Sequence, residues 1–133
     1  MEKTVKVLIA EDEDPVRELL LRIVGKKFKN AEVHAASNFD DAKRLLEEHH
    51  QKGEAFHLLI TDTEMPGQGG GLELLEHARK LRKDVSVIGM SGKPEYGPKY
   101  ASQGAGFVEK PFMLPEVVEK IRKHGEPHGL EMR

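Results

Sequence analysis

The chain has 133 residues, of which 38% are hydrophobic and 33% charged, and it contains no cysteine. This composition predicts one folded domain in a reducing compartment and excludes disulfides, thiolate catalysis and sulfur-rich metal sites. A formal net charge of -2 does not favour direct binding to nucleic acid or membranes, and no apolar run suits a signal peptide or a membrane span, so we expect a cytoplasmic protein.

The first strand and helix are predicted from the pattern of the amino-terminal residues. A β-rich run over 5–9 ends in a cluster of acidic residues. Asp14 is a candidate N-cap, with Pro15 at the first helical position. Apolar residues then recur at helical spacing as far as Val24, and Gly25 suits the end of the helix.

Two further strands and a helix follow. Glu32–Ala36 alternates apolar and polar residues, as expected at the edge of a sheet. Ser37 or Asn38 can cap the next helix. The residues over 56–60 are almost continuously apolar, which is typical of a strand buried on both faces, and this strand ends at Thr61 and Asp62.

The remaining elements continue the alternation of helix and strand. We predict a glycine-rich turn over 66–71, a helix over 72–78, a strand over 85–90, one or two turns at most within 92–104, a strand over 106–109 and a last helix from 115 to 121. Residues 125–133 are predicted to form a polar tail after a domain over 1–124. The histidines at 49, 50, 124 and 128 are interpreted as solvated.

Five alternations of strand and helix predict a doubly wound α/β fold. Each parallel connection needs a crossover, so the sheet is parallel and helices cover both of its faces. Ligands of such sheets bind beyond the carboxyl ends of the strands. The chemistry is therefore expected at those ends.

Polar side chains do follow the predicted strands at these ends. Carboxylates gathered at one edge repel one another unless a cation lies among them, and an oxygen-rich site suits Mg²⁺. A lysine and a hydroxyl at the same edge would bind a phosphoryl group, for which the central aspartate is the candidate nucleophile. These residues are Glu11, Asp12, Asp62, Ser91 and Lys110.

Four segments at the strand ends resemble the receiver domains of two-component response regulators, including the chemotaxis type. The resemblance extends from Val5 to about His124. Its segments are Leu8-Ile9-Ala10-Glu11-Asp12, Leu59-Ile60-Thr61-Asp62-Thr63-Glu64-Met65-Pro66-Gly67, Met90-Ser91-Gly92 and Gly106-Phe107-Val108-Glu109-Lys110-Pro111-Phe112.

The resemblance implies a flavodoxin-like sheet with strand order 2-1-3-4-5 and a role for each matched residue. Asp62 would be the phosphoacceptor, and the metal ligands would be Asp12 directly, Glu11 chiefly through water, Asp62, and the backbone carbonyl of Glu64. Lys110 would pair with the phosphoryl oxygens, its peptide bond to Pro111 being cis. Ser91 and Phe107 would form the conformational switch.

The implied function is Mg²⁺-dependent acceptance of a phosphoryl group from a histidine kinase or a phosphotransfer protein, followed by regulation of an unidentified partner protein. The domain would not turn over a separate substrate. Two alternatives stay open from the sequence: a receiver-like binding module that works without phosphorylation, and a small Mg²⁺-dependent phosphohydrolase. The second would need an acid/base two residues after the nucleophile, where this chain has Glu64.

The sequence departs from the family pattern in two segments. The turn over 66–71 is about one residue longer than usual, which predicts a mobile loop beside the site. The span between Ser91 and Phe107 is about three residues shorter than usual and contains two prolines, which predicts a shortened or irregular fourth helix. Phe107 also stands where many relatives have a tyrosine, so it cannot donate a hydrogen bond.

Overall fold

The structure, a computed structural model, describes residues 3–133. Short 3-10 helices precede α4 and follow α5, and no helix in this described range has the length and apolarity needed to cross a bilayer. The strands are β1 Val5–Ala10, β2 Ala31–Ala36, β3 Leu58–Asp62, β4 Ser86–Ser91 and β5 Gly106–Glu109. The helices are α1 Asp14–Lys27, α2 Phe39–Gln51, α3 Gly71–Leu81, α4 Gly97–Ala101 and α5 Leu114–Gly125.

The strands form one parallel sheet in the order β2-β1-β3-β4-β5. The predicted doubly wound, flavodoxin-like α/β fold is confirmed. Because every strand runs in the same direction, the carboxyl ends of all five lie along one edge of the sheet.

Apolar cores lie on both faces of the sheet. On one face, Val7 of β1 packs with Leu20 of α1 and Ile121 of α5. On the other, Leu8 of β1 packs with Leu74 of α3 and with residues of α2 and α4. Successive strand residues point to opposite faces, so the nearly continuous apolar runs of β1 and β3 supply both cores.

Helix α1 differs from its predicted bounds at both ends. It begins at Asp14 itself, with Glu13 as the N-cap residue. It passes Gly25 and ends at Lys27, because the apolar stripe continues to Phe28, which is buried in the core. That buried contact outweighs the preference of glycine for a helix end.

The ends of two other helices follow from local signals. Asn38, and not Ser37, caps α2, and its Oδ1 accepts a hydrogen bond of 2.8 Å from the amide of Asp41. The fourth helix is short, as predicted: the 3-10 turn Pro94–Tyr96 leads directly into the single helical turn Gly97–Ala101.

Residues 125–133 pack against the domain. Leu130 belongs to the core, and the His128 side chain is 4% exposed, with Nε2 lying 2.9 Å from the hydroxyl of Ser86. The interpretation of His128 as solvated is therefore wrong, because the turn after α5 folds its ring back under β4. The division between 1–124 and a separate tail stays a prediction.

A buried asparagine fastens this carboxyl-terminal segment. The Asn30 side-chain amide donates to the carbonyl of Gly129 at 2.8 Å, and its oxygen accepts from the amide of Glu131 at 2.9 Å. One side chain between α1 and β2 thus satisfies two backbone groups of the segment, which the polar composition of that segment does not indicate.

Candidate functional site

The sheet register brings the predicted site residues to one edge. Strands β1 and β3 pair up to the residues just before Glu11 and Asp62. Ser91 ends β4, and its carbonyl accepts a 2.8 Å hydrogen bond from the amide of Lys110, directly after β5. Four of the five polar residues predicted from the strand ends are therefore held at neighbouring strand ends by the backbone, and Asp12 adjoins Glu11.

Three carboxylates converge at this edge. One oxygen atom each of Glu11, Asp12 and Asp62 can be chosen so that all lie within 4.8 Å of one another. Glu11 is fully buried and Asp62 nearly so, whereas Asp12 is exposed. Hard carboxylate oxygens open to solvent on one side fit Mg²⁺, which keeps several water ligands.

Glu11 is oriented by its neighbours. Its Oε2 accepts a 3.0 Å hydrogen bond from the amide of Glu13, and its backbone carbonyl accepts another, also 3.0 Å, from Arg17 Nη1. Its Oε1 lies 2.6 Å from Lys110 Nζ. Both carboxylate oxygens are thus paired, so Glu11 contributes a fixed negative charge beneath the more exposed Asp12.

Lys110 brings the positive charge into this acidic group. The Lys110–Pro111 peptide bond is cis. Lys110 Nζ lies 3.4 Å from Asp62 Oδ1 and 3.7 Å from Glu13 Oε1, in addition to its close pair with Glu11. Burial lowers the pKa of Lys110, but the hydrogen bond to Glu11 and the charge of Asp62 outweigh it, so its pKa is raised.

The charge at Asp62 is incompletely compensated. Burial, followed by the negative charge of Glu11, raises the pKa of Asp62 to about 7, against the opposing effect of Lys110. Its Oδ1 also accepts a 3.0 Å hydrogen bond from the amide of Thr63. The electrostatics thus favour a further cation near this carboxylate.

The other predicted residues lie around the rim. The Ser91 hydroxyl oxygen accepts a 3.0 Å hydrogen bond from the amide of Lys93. The carboxylate of Glu64 lies 3.2 Å from Lys93 Nζ, outside the group of three carboxylates. Phe107 is half-buried, and its ring stacks on that of Tyr100 at a centroid distance of 5.8 Å.

The glycine-rich turn beside the site is tied to its surroundings. The amide of Phe39, at the start of α2, donates to the carbonyl of Pro66 at 2.9 Å, and Gly69 lies against the Phe39 ring. The amide of Gly71 donates to the carbonyl of Thr63, also at 2.9 Å. The turn leads along the chain from β3 into α3, and it is also hydrogen-bonded to the beginning of α2.

A second polar group lies at the opposite end of the sheet, around Lys6. Lys6 Nζ lies 3.4 Å from Glu32 Oε2 and donates to His49 Nδ1 at 2.5 Å, while His34 pairs with Glu32 at 2.8 Å. Lys6 is only 7% exposed. His49 thus bonds to the buried ammonium of Lys6 and is not simply solvated. The positive charge among Glu32, His34 and His49 comes from Lys6.

Sequence reasoning did not select Thr63 or Tyr100. The Tyr100 hydroxyl lies 2.8 Å from Thr63 Oγ1, next to Asp62 in the chain. One available signal was Gly89, an isolated glycine inside a predicted strand, which indicates that another group approaches the backbone closely.

Comparison with known proteins identifies relatives over most of the chain. The family described as response regulator receiver domain matches residues 7–122. The response regulator receiver protein CpdR of Brucella abortus is 29% identical over 121 residues, which cover 89% of this chain and 94% of that protein. The DNA-binding transcriptional regulator NtrC of Azospirillum brasilense is also 29% identical, over 88% of this chain but only 23% of its own length.

A solved structure agrees with both the fold and the family. The response regulator protein TrrA of Thermotoga maritima, in complex with Mg²⁺ and BeF, is 30% identical with a TM-score of 0.72, covering 91% of this chain and 99% of that one. Receiver domains as a family are phosphoacceptors of two-component systems and bind Mg²⁺ at an acidic pocket. The match over residues 7–122 shows that this chain belongs to the response regulator receiver domain family.

Proposed function

We propose that this domain accepts a phosphoryl group on Asp62 in a Mg²⁺-dependent reaction and then changes conformation to regulate a partner protein. The observation that carries the proposal is the position of Asp62, a nearly buried carboxylate between the acidic pair Glu11 and Asp12 and the ammonium of Lys110. The combination supplies a nucleophile, a place for a hard cation and a fixed positive charge within one edge of the sheet.

The donor is proposed to be a phosphohistidine on a sensor histidine kinase or phosphotransfer protein. An oxygen of Asp62 forms a bond to phosphorus while the phosphorus–nitrogen bond breaks, and its electron pair leaves with the imidazole nitrogen. Mg²⁺ bound by Asp12, Asp62 and the carbonyl of Glu64, with Glu11 acting chiefly through water, would supply charge to offset the anionic group.

The remaining residues act on the phosphoryl group once it is attached. Lys110 pairs with its oxygens, and its Nζ already lies 3.4 Å from Asp62 Oδ1. The Ser91 hydroxyl, whose oxygen accepts from the amide of Lys93, donates its hydrogen to a phosphoryl oxygen, and Phe107 follows inward. Ser91 and Phe107 thus carry the change to the neighbouring surface.

An open groove beside Lys110 supports docking of a donor protein. It is lined by Val16 and Leu19 of α1 together with Pro111 and Phe112. Lys110 also lines this groove and its Nζ lies 3.4 Å from Asp62 Oδ1, so a protein docked there would hold its phosphohistidine near Asp62. The proposed setting is cytoplasmic, with an unidentified protein as the downstream target and no direct contact with nucleic acid or membrane.

The domain is proposed to act as an acceptor and not as a hydrolase with a separate substrate. Glu64, the residue that would act as acid/base in a phosphohydrolase, pairs with Lys93 at the rim, away from the three carboxylates. This placement favours the acceptor over the phosphohydrolase alternative.

Intact mass measurement after incubation with acetyl phosphate and Mg²⁺ tests the proposal. We expect one added phosphoryl group on the wild type and none on Asp62→Asn. Asp84→Asn is a matched control, because Asp84 is 70% exposed at the far end of β4, and it should be modified like the wild type. Equal modification of Asp62→Asn would refute the assignment, and no modification of the wild type would favour a binding module.

A further inference from the structure

Tyr100 occupies a slot that two glycines leave open. Its side chain is 0% exposed although it belongs to a helix of only five residues. A Cβ atom at Gly89 of β4 would overlap the Tyr100 ring, and one at Gly71 of α3 would collide with its hydroxyl group. The ring therefore lies directly on the strand next to β3, inserted from α4.

The hydroxyl group of Tyr100 reaches the residue that follows the proposed phosphoacceptor. Thr63 Oγ1 donates its single hydrogen to the carbonyl of Met90 at 2.8 Å, so the Tyr100 hydroxyl is the donor in its own 2.8 Å bond with Thr63 Oγ1. Burial raises the pKa of Tyr100 to about 12, so this donor stays protonated at neutral pH. The amide of Thr63 in turn donates to Asp62 Oδ1 at 3.0 Å.

Tyr100 also contacts the proposed switch. Its ring and that of Phe107 stack with an interplanar angle of 24°, and the Phe107 ring packs over Gly97 at the start of α4. A single helical turn is unstable without tertiary contacts. The position of α4 is therefore determined largely by where the Tyr100 ring and hydroxyl group are held.

We propose that Tyr100 is a positioning residue that couples occupancy of Asp62 to α4 through its hydrogen bond with Thr63. A group bonded to Asp62 competes for the hydrogen bond from the Thr63 amide and shifts Thr63, and Tyr100 carries this shift to α4 and Phe107. The inference rests on the proposed function, since it assumes that Asp62 is occupied in the active state.

The sequence offers a direct spectroscopic readout, because the protein has no tryptophan and only two tyrosines, Tyr96 and Tyr100. In the Tyr96→Phe background, tyrosine emission comes from Tyr100 alone. Beryllofluoride is added as the phosphoryl mimic, together with Mg²⁺. Fluorine NMR reports in parallel whether beryllofluoride is bound. We expect a change in emission that follows the bound fluorine signal.

Two substitutions at Thr63 then test the route. Thr63→Ser keeps the hydroxyl group and should retain the emission change, whereas Thr63→Val removes the hydroxyl group and should lose that change while still binding beryllofluoride. Hydrogen exchange of the α4 amides gives a second readout. Beryllofluoride should change this exchange in the wild type but not in Tyr100→Phe.

The outcomes separate the two proposals. Bound beryllofluoride without a change in Tyr100 emission, or an equal change in Thr63→Val, would overturn the coupling and leave the proposed function standing. If no variant, including the wild type, showed bound beryllofluoride, the proposed function would fall and the coupling with it.

Discussion

Replacement of Asp62 by asparagine should stabilise the metal-free protein, although it removes the proposed acceptor. The carboxylate is nearly buried, and burial together with the charge of Glu11 raises its pKa to about 7. The ionised form is thus less favourable in the folded protein than in the unfolded chain. Asparagine has nearly the same shape and carries no charge.

The magnitude follows from the difference between the folded pKa of about 7 and the ordinary value of 3.8. Each pKa unit corresponds to about 1.4 kcal/mol, so ionisation costs the fold roughly 4 kcal/mol at pH 8. The pKa of about 7 already includes the favourable charge of Lys110, so nothing further is subtracted for that pair, and we expect a gain of up to about 4 kcal/mol at pH 8. Because the folded pKa is raised, the cost is complete above about pH 7 and shrinks as the pH falls toward 4.

Urea unfolding followed by circular dichroism, with EDTA present, measures this difference. The variant should be more stable than the wild type at pH 8, and the gap should narrow at pH 5.5, where folded Asp62 is protonated. The difference between the two proteins cancels the pH-dependent contributions that both proteins share. Asp84→Asn should show no such gap, since Asp84 is largely exposed. A gap of the same size at both pH values, or no gap at pH 8, would refute the reasoning.

Three further predictions test packing and charge away from the three carboxylates of the site. Gly89→Ala should lower the free energy of unfolding, measured in urea, by about 2–3 kcal/mol, because the added methyl group meets the Tyr100 ring. In the double variant, Tyr100→Leu should restore part of this loss. Burial and then the charge of Lys6 lower the pKa of His49. Lys6→Met should therefore raise this pKa toward 6.5 in an NMR titration, and an unchanged pKa would contradict the electrostatic account. Asn30→Ala should cost about 1–3 kcal/mol and speed proteolysis near the carboxyl terminus, whereas unchanged proteolysis would show that the segment is held by other contacts.

The parts of the site that the sequence predicts are those fixed by the backbone of the sheet. Glu11, Asp62 and Lys110 each lie at the carboxyl end of a short predicted strand, and parallel pairing carries the ends of such strands to one edge. That these three residues lie close together can therefore be predicted without knowing how the side chains pack. The shortened α4 was also predictable, because proline removes backbone donors and glycine weakens helices.

The parts that the sequence does not predict depend on contacts between residues far apart in the chain. Tyr100 lies in a segment that reads as irregular, and only the folded sheet reveals that Gly89 leaves room for its ring. His128 and Asn30 likewise act across long sequence separations. The polar composition of residues 125–133 predicted solvent exposure. Their hydrogen bonds to distant partners leave no periodic pattern in the sequence, so the packing of this segment could not be predicted.

The short fourth helix and the buried tyrosine explain one another. A helix of five residues covers only a small area of the sheet, and the Tyr100 ring covers β4 at Gly89. The ring fits at this place because residue 89 is glycine. Its hydroxyl group donates a hydrogen bond to Thr63 Oγ1, which a purely apolar side chain could not do. Helix α4 therefore brings a hydrogen-bonding aromatic side chain to Thr63, the residue after the proposed phosphoacceptor, whereas Phe107 has no hydroxyl group to contribute.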